Sequence, residues 1–160
     1  SANELIEDVH ENIKSLAESS LRTIQLVDFA RDKVSASLAK ADLMVFKQNS
    51  YRAISDPDHQ ESHDQVVTDV NSSAFAHWYN SDQSANFKHL SGYQQLMQTY
   101  EKIHSFSLSA IKDSQSDWQA DDSLRNEIVS QMQDVEHSSQ ILSDKLHTMV
   151  DERKPSVEFV

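Results

Sequence analysis

Residues 4–54 contain neither glycine nor proline. Nothing in that stretch forces a helix to stop, and no hairpin turn can be placed in it. Its apolar residues recur at intervals of three and four: Ile6, Val9, Ile13, Leu16, Ile24 and Val27, with Ser20 at a seam position. That heptad-like spacing predicts a helix with an apolar seam. The pattern continues through Ala30, Val34, Leu38, Ala41 and Val45 to about Ile54. The segment reads as one very long helix, or as two with a bend near residues 27–29.

The same shortage of turn formers holds for the whole chain, which has one glycine and two prolines in 160 residues. A β fold needs turn residues at each hairpin, so the sequence predicts an all-α protein. Pro57 keeps the residue before it from staying helical, and residues 55–64 read as a loop. A second helix is expected over 65–80, burying Val66, Val67, Val70, Phe75 and Trp78. A polar turn over 80–87 leads to a third helix that starts at 87–90 and stops near Asp113, with Gly92 in its first turn. It carries Tyr93, Leu96, Tyr100, Ile103, His104 and Ile111 on one broad face. After a loop at 114–122, a last helix holds Leu124, Ile128, Met132, Val135, Leu142, Leu146 and Met149, and Pro155 closes it. Such helices predict an antiparallel four-helix bundle with a long protruding N-terminal helix.

The formal net charge of −12 disfavours both phosphate backbones and anionic lipid surfaces, so no nucleic-acid partner is expected. No apolar run approaches the roughly 18 residues of a spanning helix, so no membrane insertion is expected in this segment. No signal peptide is visible, and the absence of cysteine removes disulfides and thiolate ligands. The expected compartment is the cytoplasm. With one glycine there is no phosphate-cradling loop and no nucleophile elbow, and no catalytic residue is expected.

Eight histidines are the one concentrated chemical resource. His59 and His63 have the spacing of two ligands on a helix face, but they fall in the acidic loop and read as solvated surface residues. Glu101 with His104, and Glu7 with His10, match the carboxylate–histidine spacing of di-iron bundles. Such a site also needs inward glutamates on two other helices, and Glu7 and His10 flank the seam instead of filling it, so surface pairs are the simpler reading. Tyr100 and His104 stand one turn apart on the apolar face of the third helix, as a satisfied core pair or the remnant of a binding site.

Three blocks carry a more specific signal: "KADLMVFKQNSYRAI" (40–54), "SSAFAHWY" (72–79) and "FKHLSGYQQLMQTYEKIH" (87–104). In that order they resemble the motifs of the chemoreceptor zinc-binding domain family, with Asp42, Phe46, Lys47, Tyr51, Phe75, Trp78, Tyr79, Tyr93 and His104 on the pattern. The resemblance places the family's four metal ligands at Leu43, Ser73, Tyr100 and His104, separated by 30, 27 and 4 residues. Three of these side chains depart from the family. Leu43 has no donor, Ser73 replaces a thiolate, and a phenol ionises only near pH 10. Zinc needs three or four nitrogen, sulfur or carboxylate donors. The site reads as erased, with His104 the survivor and His77, one turn after Ser73, a possible second nitrogen; no metal and no cofactor are expected. The space left is either core, with Leu43 packed in it and Ser73, Tyr100 and His104 hydrogen-bonded together, or a retained small pocket.

The resemblance implies a cytoplasmic sensory domain at the C-terminal end of a methyl-accepting chemotaxis protein, not an enzyme. Residues 1–27 would end a signalling coiled coil, 28–117 would form the sensor bundle, and 118–160 would supply a packing helix and tail. The implied partners are a second copy in a homodimer and, through the parent chain, a histidine kinase and a coupling protein. The alternatives are a domain attached to a diguanylate cyclase or standing alone, a sensor holding metal through other histidines, a structural dimerisation module, and a di-iron-type enzyme.

Overall fold

In the first described turn the Ser1 hydroxyl accepts from the Glu4 amide at 3.3 Å. From there α1 runs unbroken over Ala2–Ser55 in a computed structural model that describes residues 1–156. At 1.5 Å per residue it is about 80 Å long. Helix continues through residues 27–29 and gives way only at Asp56, immediately before Pro57.

Two faces of α1 differ in a way the hydropathy pattern hides. Residues 1–25 are all exposed. Farther along, Asp32, Ala36, Ala39, Leu43, Phe46, Ser50 and Ala53 face the core. The stripe expected to continue the packing seam lies on the other side: Val34 is 61% exposed, Leu38 47% and Val45 55%. The core face is the less hydrophobic of the two because it is built from small residues, which let neighbouring helices come close.

The remaining elements are α2 (Gln60–Val67), α3 (Ala74–Asn80), α4 (Tyr93–Asp113) and α5 (Asp122–Glu152), and no strand occurs among the described residues. The single helix expected over 65–80 is instead two short helices joined by a 3₁₀ turn at Val70–Ser72. Each start is fixed by a side chain that competes with continued helix: Asp69 accepts from the Asn71 amide at 2.7 Å, and Ser73 from the Ala76 amide at 3.1 Å. Val67 consequently points outward, 42% exposed, and Val70 is only half-buried. A second 3₁₀ turn over Asp82–Phe87 replaces the polar turn before α4, and Gly92 stands just outside α4 as its N-cap. The expected end of α4 near Asp113 and the expected start of α5 match, whereas α4 starts at Tyr93, later than the expected 87–90. The tail beyond residue 156 lies outside the described residues.

Helices α4 and α5 are antiparallel partners. Gln131 donates to Asp113 and Ser109 near one end of the pair, each at 2.9 Å, and Lys145 donates to Gln95 at the other, at 2.6 Å. The second half of α1 packs on both helices and on α2. Two polar ties lock α1 to α5. Arg153 donates to Asp32, itself 3% exposed, at 3.0 Å, and Asn86 donates to the other Asp32 oxygen at 3.0 Å. Glu136 takes Lys47 at 2.9 Å and the Tyr51 hydroxyl at 2.9 Å.

The ties make two predictions. Arg153→Ala leaves Asp32 buried with one neutral partner, and should cost about 2 kcal/mol by urea denaturation, below a fully buried pair because the guanidinium reaches solvent. Lys47 holds the Glu136 carboxyl below its ordinary value near 4.5, a depressed folded-state value. Its contribution is therefore complete above that pH and lost as pH falls through the folded value. Glu136→Gln should be less stable than the natural chain at pH 7, and the difference should fade in acid.

Candidate functional site

The core between α1, α3 and α4 is organised around a row of six rings. Phe87 meets Trp78 at 6.3 Å between centroids, Trp78 meets Phe75 at 5.6 Å, and Phe75 stacks on Tyr100 at 4.5 Å. Phe46 then bridges Tyr100 at 5.6 Å and the His104 imidazole at 5.7 Å. The row draws on all three resemblance blocks. Leu43, one turn before Phe46 on α1, is 2% exposed in the same core.

The histidine on the apolar face has a backbone partner. His104 Nε2 lies 2.9 Å from the carbonyl of Thr68, the C-cap residue of α2. A carbonyl only accepts, so Nε2 is the donor and carries the proton. His104 thereby satisfies an orphan carbonyl at the end of α2. Glu101 is exposed while His104 is 8% exposed, so the two do not form a ligand pair.

Ser73 is also committed to structure. Its hydroxyl donates to the Val70 carbonyl at 2.7 Å and caps α3. It lies beside the Tyr100 phenol, which burial pushes up; the Ser73 hydroxyl pulls it partly back and the Asp42 charge raises it again. The hydrogen-bonded trio expected of Ser73, Tyr100 and His104 therefore does not form. Ser73 and Tyr100 are neighbours, whereas His104 turns to Thr68 across the Phe46 ring. His77 is exposed, with no place in the row. His59 and His63 are half-buried at the start of α2, not on a solvated loop. His59 Nδ1 accepts from the Ser62 amide at 3.2 Å as the N-cap, and His63 Nδ1 is 3.7 Å from Asp64, too far for a hydrogen bond.

A cleft of about 90 Å³ remains beside Tyr100, with Asp42, Asn49, Thr68 and Ser73 on its walls. That is room for about three waters. Burial raises the Asp42 carboxyl above its ordinary value. The sequence marks Asp42, Ser73 and Tyr100 but not Asn49 or Thr68.

The donor set does not fit zinc. Leu43 offers nothing, the Tyr100 phenol is held protonated, Ser73 is a cap, and His104 spends Nε2 on Thr68. No cluster of three histidine, cysteine, aspartate or glutamate side chains suited to a metal occurs among the described residues. No family model matches the chain, and no curated protein and no solved structure matches it either.

Restoring the ligands tests the alignment. The natural chain should bind no stoichiometric zinc against a competing chelator, whereas Leu43→His, Ser73→Cys and Tyr100→His together should bind it. Without metal the triple variant should be destabilised, by about 2–5 kcal/mol for Leu43 if a cavity is left and by about 1 kcal/mol for the lost α3 cap. Zinc, worth on the order of 10 kcal/mol at a structural site, should more than reverse that. If neither protein binds, Leu43, Ser73 and Tyr100 do not stand at ligand positions.

Proposed function

We propose that the chain is a sensory or regulatory helical domain of a bacterial chemoreceptor, with the family's zinc site lost and its framework kept. The carrying observation is the ring row: Phe46, Phe75, Trp78, Tyr100 and His104 come from three motif blocks in the family's order and meet in one core. In this reading α1, α4 and α5 are three members of an antiparallel four-helix bundle, and α2 with α3 completes the fourth. Residues 1–27 end a signalling coiled coil, 28–117 form the sensor and 118–160 pack against it. The domain works in the cytoplasm; no helix among the described residues is long and apolar enough to cross a membrane.

The mechanism is a change of helix packing. A shift in the ring row moves Phe46, which sits on α1, and α1 carries the displacement without a break to its exposed N-terminal half. A packed core responds in discrete rearrangements, which suits a switch. Exposed Ile6, Val9, Ile13 and Leu16 supply the surface on which a second copy assembles. A histidine kinase and a coupling protein then act through the parent chain.

Two measurements test this reading. Sedimentation equilibrium should give a dimer at tens of micromolar, weakened by deleting residues 1–24; a strict monomer contradicts the proposal. Metal analysis of untagged protein should find neither tight zinc nor iron, and stoichiometric iron would turn the reading toward a di-iron enzyme.

A further inference from the structure

The cleft of about 90 Å³ beside Tyr100 carries a charge that the fold does not neutralise. Asp42 is the one ionised side chain on its walls. Burial alone moves the Asp42 carboxyl, upward, which marks a carboxylate with no cation beside it among the described residues. Lys47, the next cation along α1, is taken by Glu136 at 2.9 Å.

The other walls offer oxygens and rings. Tyr100 is 1% exposed, and its hydroxyl stands beside Ser73 and in the field of Asp42, both of them cleft walls. Thr68 and Ser73 spend their hydroxyl protons on the carbonyls of Asp64, at 2.6 Å, and Val70, at 2.7 Å. They therefore meet a ligand only through oxygen lone pairs. Phe46 and Phe75 close the apolar side. The space between has room for about three non-hydrogen atoms.

We propose that this cleft binds a small primary ammonium ion, either a free protonated alkylamine or the ammonium end of a longer amine. The N–H donors of such an ion match the Asp42 carboxylate and the hydroxyl oxygens, and aromatic walls favour its charge. An anion is opposed by Asp42 and by the net charge of −12. Calcium takes about six to eight oxygen ligands and magnesium a strict octahedron, and one carboxylate with a few hydroxyls builds neither. Exposed Gln65, Thr68 and Ser72 form the rim past which the tail of a longer amine leaves.

The site stands on these walls alone; its role as a stimulus rests on the sensory reading proposed above. The ligand would touch Phe46 on α1 and Tyr100 on α4, whose rings meet at 5.6 Å. Its entry thus acts on the contact that joins the ring row to the long helix.

Amide NMR of the full chain, titrated with ethylammonium chloride at constant ionic strength, tests the proposal. Amides around Asp42, Asn49, Ser73 and Tyr100 should shift and saturate with a Kd in roughly the millimolar range, the ceiling for so small a ligand. Asp42→Asn should keep the helical circular dichroism and weaken binding about tenfold, because the charged partner is lost. Tyr100→Phe should weaken it about threefold. Sodium and tetramethylammonium, which carry the charge without N–H donors, should leave these amides in place. The diamine putrescine separates the two sources: tighter binding than ethylammonium assigns the site to the end of a longer amine, weaker binding to a free small one. No saturable shift with either amine overturns the proposal. So does an Asp42→Asn variant that binds ethylammonium as tightly as the natural chain, or sodium that shifts the same amides to the same extent. A chain that binds ethylammonium but stays monomeric keeps the site and loses the receptor reading.

Discussion

The close approach of α1 to its neighbours, through Ala36, Ala39, Ser50 and Ala53, is the contact on which the rest of the structure depends. Small side chains bring the α1 backbone near α2, α4 and α5, and the two large ones between them, Leu43 and Phe46, then fill the core. Because this face is small, α1 keeps a second and more apolar face free. One helix thereby serves two environments: a packed interior over its second half, and an uncovered stripe along its entire length. A larger residue at Ala39 would push the helices apart and separate Phe46 from Tyr100 and His104, so packing and site are a single feature.

In the proposed reading the site keeps the positions of a metal centre without its chemistry. Each of the four residues at those positions serves the fold instead. Leu43 fills core, Ser73 caps α3, Tyr100 stacks on Phe75, and His104 finishes α2. These contributions support one another. His104 holds the Thr68 end of α2 against α4, and Ser73 sets where α3 begins and therefore where Phe75 and Trp78 enter the row. Tyr100 stays protonated because burial and the Asp42 charge oppose its ionisation. What remains is a row of rings that packs α1, α3 and α4 together.

Much of the fold is legible in the sequence. Helical character follows from the missing glycine and proline, and the end of α4 and the start of α5 from the polar loop between them and its capping residues; the start of α4 does not, because the 3₁₀ turn over Asp82–Phe87 carries the same apolar pattern. Burial of Tyr100 and His104 follows from their place among Leu96, Ile103 and Ile111. The face of α1 is not legible, since hydropathy ranks Val34 and Leu38 above Ala36 and Ala39, and only the neighbours decide which stripe is covered. The break of the second helix is written in Asp69 and Ser73, whose side chains cap new starts, but a continuous apolar pattern masks them. The partner of His104 has no signal at all, because it is a backbone carbonyl whose position exists only once α2 has ended at Thr68.

The central claim is that α1 is a single helix whose outer stripe is covered by a second copy, and hydrogen–deuterium exchange along residues 5–45 measures that most directly. A helix whose first 25 residues are all exposed is marginal by itself and should exchange quickly when the chain is dilute. Protection over residues 5–27 should rise with protein concentration in step with the dimer fraction, while the core-facing amides of residues 32–54 stay protected throughout. Fast exchange over residues 5–27 at every concentration would contradict the claim.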